Sequence, residues 1–492
     1  MTPSFSSKSL KPYLALALLW CALSVFFLSR GPLDPKPFIG FPLDDAWIHF
    51  DFSRNLASGN CFGLNPQEPS SGSTSPLWVL LLAGFFNLGV PFEISGIALG
   101  MLFLFLTALV IYKMAFLITE DSRTAFISSI LVLVCGRFLW GVFSGMEVAL
   151  FSFLSALGIM LHLKNIPQGR LSLLPAVVFG LASLSRPEGH LLFALAFVDL
   201  AARNFRRKQG LRWMAGYLVI YAALVLPYMV FSWLLTHKLI CSSYYSKMLF
   251  TWRVSALPYL KGYVKYIFWD NPFLALFLIS GLRYSLSRRC YLLVAWMVLY
   301  PLAASQVSPI LIHHARYQMP LIPLYAMVGY FGLRRLFSRR TAHVYLVLVV
   351  VWGLFQVNIW GQRYTKDALS FYKQHFQVAG WLREHTAPAE AVATNDIGIL
   401  SYATGRKVVD LCGIINPDII NILSSDSHPR FQRRMLWHYL ARHRVKYLAF
   451  YRSWFPWMYD ERCLKKVYEV NYPFNTSAAC DTMEVFEVLC VD

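Results

Sequence analysis

Residues 41–78 read FPLDDAWIHFDFSRNLASGNCFGLNPQEPSSGSTSPLW, a polar segment crowded with acids, Gly and Ser between long apolar runs. Its Asp44 and Asp45 stand just outside a predicted membrane span. Holding an ionisable pair beside hydrocarbon costs free energy, so the pair marks a functional site by default. If Asp44 opens a helix, the 100° step per residue puts Asp44, Ile48, Asp51 and Asn55 on one stripe. Asp45, His49 and Phe52 fall on the next. The two acids then point in different directions, one as a candidate base and the other as its positioner. Capping of a helix after Pro42 is the competing reading; it accounts for one acid but not for His49, Asp51 and Arg54 crowded beside it. The run from Ser70 to Pro76 either presents hydroxyls and backbone amides to a ligand or starts a helix at Pro76.

Composition sets the class around this loop. With 57% hydrophobic and only 14% charged residues and a mean hydropathy of +0.48, the chain does not suit a soluble enzyme. A polytopic α-helical membrane protein is expected. Spans fall near 12–29, 93–118, 125–142, 147–163, 171–185, 188–202, 213–236, 272–283, 290–305, 317–333 and 342–360, about eleven in all. Lys8, Lys11, Lys113, Arg123, Lys164, Arg170, the 203–212 cluster, Arg283, Arg288, Arg289 and the 334–340 cluster all fall on one side. By the positive-inside rule that side is cytoplasmic, with the N-terminus inside and the 30–75 loop outside. The net charge of +19 then reflects orientation and lipid-headgroup contact rather than a nucleic-acid partner. The first span lacks a small-residue cleavage site and reads as an uncleaved anchor. Residues 76–90 are too short and read as a helix at the outer interface.

Residues 1–361 thus form a transmembrane domain and residues 362–492 an exported α/β domain. A helical pattern covers 368–384, and short β-like runs follow: AVAT, KVVDL, KYLAF, KVYEV and MEVFEVL. Asn395, Asp396 and Asp410 sit at strand ends or turns, to contact a glycan or simply to build the turns. A disulfide among Cys463, Cys480 and Cys490 fits an oxidising compartment. The Asn475, Thr476, Ser477 triplet matches a glycosylation acceptor, which has meaning only in a eukaryotic secretory setting.

Two further groups of charge stand out. The outer loop 237–271 carries Lys238, Lys247, Arg253, Lys261 and Lys265 against the side preference of the other loops, which calls for an anion. Glu147, Arg186 and Glu188 sit at outer helix ends, lining a cavity or forming ion pairs that only fix helix packing.

Several segments together resemble the GT-C glycosyltransferases, particularly the bacterial branch that includes the mycobacterial terminal arabinofuranosyltransferases. They are LDDAWIHFDFSRNLASG with GLN and GSTSPLW, FSGMEVALF at 143–151, LSRPEG at 184–189, SSYYSKM at 242–248, HHARYQMPLIP at 313–323 and NDIGILSYATGRKVVDLCGI at 395–414. The resemblance covers nearly the whole chain. It implies a polyprenyl-phosphate sugar donor, inversion at the anomeric centre, and an acid on the first outer loop as general base. That acid is Asp44 or Asp45, with Asp44 favoured. For the donor phosphate the resemblance points to Lys247 with Tyr244 and Tyr245, and Arg316 is the second choice. His49, Asp51, Arg54, Glu147, Arg186, Glu188, His314 and Tyr317 are expected to line the cavity.

The expected acceptor is a cell-envelope glycan or glycolipid at the outer face of a bacterial inner membrane. No nucleotide or redox cofactor is required, and a divalent metal held by Asp44, Asp45 and Asp51 stays open. The alternative is a transporter or flippase of a lipid-linked saccharide. That reading calls for repeated halves and helices broken near the bilayer midplane, and the sequence shows no internal repeat.

Overall fold

The first apolar run forms α1 (Lys11–Leu28), and α2 (Asp44–Ala57) begins at the acid expected to open a helix. The structure is a computed structural model that describes residues 10–30, 40–165, 172–204, 208–251, 255–307, 311–424 and 429–489. After α2 come α3 (Pro76–Asn87), α4 (Phe92–Thr119), α5 (Ser122–Leu133), α6 (Gly136–Val142), α7 (Val148–Asn165), α8 (Leu174–Ser185) and α9 (Gly189–Asn204). The helices α10 (Lys208–Thr236), α11 (Ser242–Thr251), α12 (Ala256–Asp270), α13 (Pro272–Ala275), α14 (Leu278–Ser287), α15 (Tyr291–Val307), α17 (Ile322–Leu336) and α18 (Arg339–His385), with a single turn of largely left-handed backbone, α16 (Ile312–Ala315), between α15 and α17, complete the bundle.

Among the described residues, five helices are long and apolar enough to cross a membrane: α1, α4, α7, α10 and α18. A sixth span results if α5 and α6, bent by 64° at their junction, are one broken helix. The count of about eleven read from the sequence takes in shorter apolar helices such as α8 and α15, each below the ~20 residues of a full crossing. Leu218, Val219, Val230 and Leu234 of α10 and Val344, Val347 and Val351 of α18 are exposed on the outside of the bundle. Lipid is the solvent that makes such an apolar face favourable.

The predicted span 342–360 and the predicted helix 368–384 are one element. The 47 residues of α18 run unbroken through the 361/362 position, a length of about 70 Å at 1.5 Å per residue.

Beyond α18 lie β1 (Ala391–Thr394), α19 (Ile397–Thr404), β2 (Lys407–Asp410), α20 (Pro417–Ser424), α21 (Pro429–Arg442), β3 (Val445–Phe450), β4 (Leu464–Asn471) and β5 (Thr482–Val488). The sheet order is β2-β1-β3-β5-β4. β1 pairs in parallel with β2 and β3, while β5 runs antiparallel to β3 and β4. Period-two alternation gives the sheet two buried faces. Val392, Tyr447 and Ala449 pack toward Val378, Ala379 and Leu382 of α18. Ala391, Ala393, Leu448 and Phe450 pack toward Ile419, Leu436 and Leu440 of α20 and α21. Each of the five β-like runs in the sequence lies on one of these strands.

The 41–79 segment and the C-terminal α/β region share a small core. Ile48, Phe52, Leu64, Val79, Ile397, Val408 and Ile415 pack together, so α2 rests on α19 and β2. Cys463 is disulfide-bonded, Cys480 is a free thiol, and Cys490 lies outside the described residues. Asp410 builds a turn: its carboxylate accepts from Cys412 N at 2.7 Å and Ile415 N at 2.9 Å. Asn475 likewise closes a turn, accepting from Ser477 N and Ala478 N.

Candidate active site

The first turn of α2 splits the two acids as the helical step requires. Asp44 turns to the C-terminal α/β region, where its carboxylate accepts from Gly398 N at 2.8 Å and Ile399 N at 2.7 Å. It thereby satisfies the otherwise orphaned N–H groups at the start of α19. Gly398 permits the approach, because a Cβ there would lie 2.1 Å from the Asp44 carbonyl oxygen. Burial, with the Asp396 carboxylate beside it, pushes Asp44 up to about 7 against the pull of His375 and the two backbone N–H groups. Asp396 in turn pairs with His375 at 2.8 Å.

Asp45 turns instead into a cavity of about 640 Å³ bounded by α2, α9, α10, α11, α12 and α15 and by Met146 and Glu147 just before α7. There its carboxylate is ion-paired with the Arg316 guanidinium. Burial would raise the Asp45 pKa, but Arg316, Lys247 and His313 outweigh it and hold this carboxyl well below its usual range. Lys247 lies 5.4 Å from the centroid of the Tyr317 ring, and Arg316 donates to the Tyr317 hydroxyl at 3.2 Å. Burial opposes the Lys247 charge, yet Tyr317 and Asp45 together raise its pKa. Arg316 Nη1 is buried with no hydrogen-bond partner among the described residues.

A second charged group adjoins the first, with Arg186 and Arg316 each 5.1 Å from the centroid of the Tyr317 ring. Arg186 bridges Glu188 at 2.8 Å and Glu147 at 3.4 Å, and His49 lies 3.7 Å from Glu147. The ion pairs weighed as packing devices therefore exist, and they line the cavity as well. The Ser70 to Pro76 run does both things asked of it. Pro76 opens α3, while Gly72 and Thr74 line the cavity and the Ser73 hydroxyl lies 3.3 Å from His49 Nδ1.

The cation that meets Asp45 is aimed by an unusual piece of backbone. His313, His314 and Ala315 all take left-handed conformations, with φ of 48°, 58° and 58°, each costing roughly 1–2 kcal/mol for a residue with a Cβ. Arg137 compensates by donating to the carbonyls of His314 at 3.0 Å and Ala315 at 3.3 Å. Its own charge is paired with Asp270. The His314 ring is held by Asp367 at 2.7 Å and lies against Trp140 and Trp360. Asp367 also accepts from Trp140 at 3.0 Å and from Thr476 of the C-terminal α/β region. Strain concentrated beside a buried charge is a recurrent mark of functional sites.

Of the residues expected at the site, Asp45, His49, Glu147, Arg186, Glu188, Tyr244, Lys247, Arg316 and Tyr317 line this one cavity. Five expected residues do not. Asp44 is spent on α19. Asp51 is paired with Arg54, whose guanidinium also reaches the Tyr402 carbonyl. Tyr245 lies under Lys238, 4.6 Å from its ammonium. His314 belongs to the Asp367 cluster. Asp44, Asp45 and Asp51 face three different surroundings, so they do not form one cation site, and no group of three or more His, Cys, Asp or Glu among the described residues is arranged to hold a metal. Lys261 and Lys265 are exposed on α12, and Arg253 lies outside the described residues.

Sequence reading missed His190, Tyr221, Tyr259 and Tyr300, which complete the lining. Each sits in or beside an apolar helix, where an aromatic ring with a polar tip passes for an interface anchor. His190, next to the LSRPEG segment, carried the one available signal.

A family model described as a domain of unknown function (DUF8728) matches residues 359–486. No curated protein matches the sequence. Solved structures do match. ArnT from Cupriavidus metallidurans, bound to undecaprenyl phosphate, superposes with a TM-score of 0.63 at 11% identity over 97% of this chain and 98% of that one. The archaeal oligosaccharyltransferase AglB from Archaeoglobus fulgidus, in complex with an inhibitory peptide and a dolichol-phosphate, gives 0.55 at 13% over 90% and 70%. Arabinofuranosyltransferase AftD from Mycobacteria gives 0.52 at 16% identity, over 96% of this chain and 41% of that longer one. The chain therefore has the fold of the GT-C membrane glycosyltransferases that its motifs resemble.

Proposed function

We propose that this protein is an inverting glycosyltransferase that moves a sugar from a polyprenyl-phosphate donor to a cell-envelope glycan or glycolipid. The observation that carries the reading is Asp45 facing Arg316 and Lys247 in one cavity that also presents apolar side chains. The donor is a phosphodiester with one negative charge, and its leaving group is a lipid phosphate with two. Arg316, with an unused Nη1, and Lys247 would take that growing charge. Leu191, Phe193, Met229 and Ala303 offer apolar surface to the lipid chain.

In the reaction the acceptor oxygen bonds to the anomeric carbon as the bond from that carbon to phosphate oxygen breaks. The electron pair leaves with the lipid phosphate. The acceptor proton goes to Asp45, which is ionised and within the cavity. Before donor binds, Arg316 and Lys247 make Asp45 a weak base. A bound phosphate competes for both cations, which raises the Asp45 pKa when a proton acceptor is needed.

The neighbours' lipid phosphates, undecaprenyl phosphate in ArnT and dolichol-phosphate in AglB, support the lipid-linked donor. The one-sided basic residues support an outward cavity and a periplasmic 362–492 domain on a multi-pass protein of the bacterial inner membrane, with the N-terminus cytoplasmic. The test is transfer of radiolabelled sugar from a panel of synthetic polyprenyl-phosphate sugars to envelope-lipid extract by the purified protein. Label passing from one donor, and lost in Asp45→Asn, is the expected result. No product from any donor, with lipid-linked sugar crossing liposome leaflets instead, would make the protein a transporter.

A further inference from the structure

A second cavity of about 610 Å³ opens between residues 64–70 of the first outer loop and the helices α20 and α21. Its floor is structural. Asn65 donates to the Val408 carbonyl at 2.9 Å and accepts from Val408 N at 3.0 Å, and Glu68 is paired with Lys407. Its two helical walls are different. Asp418 and Asn421 of α20 stand three residues apart, and His438 and Arg442 of α21 four apart, so each pair shares one helix face. All four line the cavity and are exposed. Tyr439 and His443, also in the lining, place their rings 4.4 Å apart.

This lining has the chemistry of a saccharide site. The partly exposed Tyr439 and His443 rings suit the C–H face of a sugar ring, and an amide, a carboxylate and a guanidinium around them suit its hydroxyls. Asp418 offsets Arg442, which disfavours a polyanion. So many polar groups disfavour a polyprenyl chain.

The cavity also stands one wall from the candidate active site. Gly72 and Ile414 line the first cavity, while their chain neighbours Ser70 and Ile415 line the second. The wall is pinned by Ser70 Oγ donating to the Ile415 carbonyl at 3.3 Å and by Ser242 Oγ donating to the Ile414 carbonyl at 2.5 Å. A Cβ at Gly72 would lie 2.8 Å from the Ile414 carbonyl oxygen, so the two strands of this wall touch backbone to backbone.

We propose that the second cavity is an acceptor subsite that holds sugar units remote from the reacting hydroxyl, which makes the acceptor an oligosaccharide. The assignment rests on the glycosyl-transfer reading of the first cavity. Its test is binding of the full-length protein, without donor, to an array of oligosaccharides released from bacterial envelope polysaccharides. Asn421→Ala/Arg442→Ala changes two exposed residues, and an unchanged thermal midpoint shows that its fold is kept. Wild type and Asp45→Asn should retain the same oligosaccharide, and the double variant should bind it about tenfold or more weakly. A blank array, equal binding by the double variant, loss of binding in Asp45→Asn, or capture of acidic peptides in place of sugars overturns the subsite. Binding that follows this pattern in a protein without transfer activity keeps the subsite and removes the glycosyl-transfer reading. Transfer without oligosaccharide binding does the reverse.

Discussion

The two sides of the first turn of α2 meet different surroundings. On one side Asp44 faces backbone N–H groups of a neighbouring helix, and burial lifts it to about 7. On the other, Asp45 lines a cavity, ion-paired with Arg316 and near Lys247, and is held well below the usual carboxylate range. A pKa near neutrality is what a general base is expected to have, and by that criterion Asp44 is the better candidate. Geometry reverses the choice, because both Asp44 oxygens are occupied by backbone amides and neither faces the cavity. A perturbed pKa thus marks burial first and chemistry only when a substrate can reach the group.

The largest test of this contrast is substitution of each acid in turn. Asp45→Asn should lower kcat by about 10²- to 10⁴-fold, whereas Asp44→Asn should keep kcat within about tenfold, both read by single-turnover transfer. The opposite ranking would break the comparison. Next in size, Arg316→Lys replaces a two-pronged donor with a point charge and should raise the donor KM by about 10- to 100-fold. Unchanged kcat together with unchanged donor KM would leave Arg316 without its phosphate role.

The pH profile sharpens the same point. Asp45 is ionised in the free enzyme far below neutrality, so kcat/KM should stay level from pH 8 to about pH 5. A fall that begins as pH drops through 7 would place Asp44 in the chemistry. The smallest effect is on stability. Asp44→Asn removes one accepting oxygen from the start of α19 and should cost about 1–3 kcal/mol of unfolding free energy. Because the Asp44 pKa of about 7 lies above its ordinary 3.8, the native state holds an extra proton between those values. Its stability contribution therefore rises as pH falls from about 7 toward 4, a slope that Asp44→Asn should lose.

What could be read from sequence follows from how local each feature is. The strands were legible because each carries its own apolar run bounded by turn residues. So was the divergence of Asp44 and Asp45, which needs only the helical step. The convergence of Lys247, Arg316 and Glu147 was legible in outline, since the sequence reading assigned all three to one side of the bilayer. The choice between the acids was not, because Asp44 meets partners 354 and 355 residues away. Nor was the left-handed turn at His313, His314 and Ala315, three residues that give no hint of positive φ. It is held by Arg137 and Asp367, which lie 177 and 53 residues from His314 and were given no role from the sequence. The union of span and helix in α18 was hidden by the polar residues 361–367, which look like a boundary until Asp367 is seen buried.

That single rod makes the protein intolerant of length changes in one short place. Asp367 clasps His314 and Trp140, while two turns onward His375 clasps Asp396 beneath Asp44. One residue inserted between them would rotate everything downstream by about 100° and lift it by 1.5 Å, carrying the His375–Asp396 pair and the start of α19 off Asp44 while Asp367 stays seated. Relatives that descend from one working ancestor should therefore keep the seven-residue interval between these two positions constant, even where neighbouring loops differ freely in length.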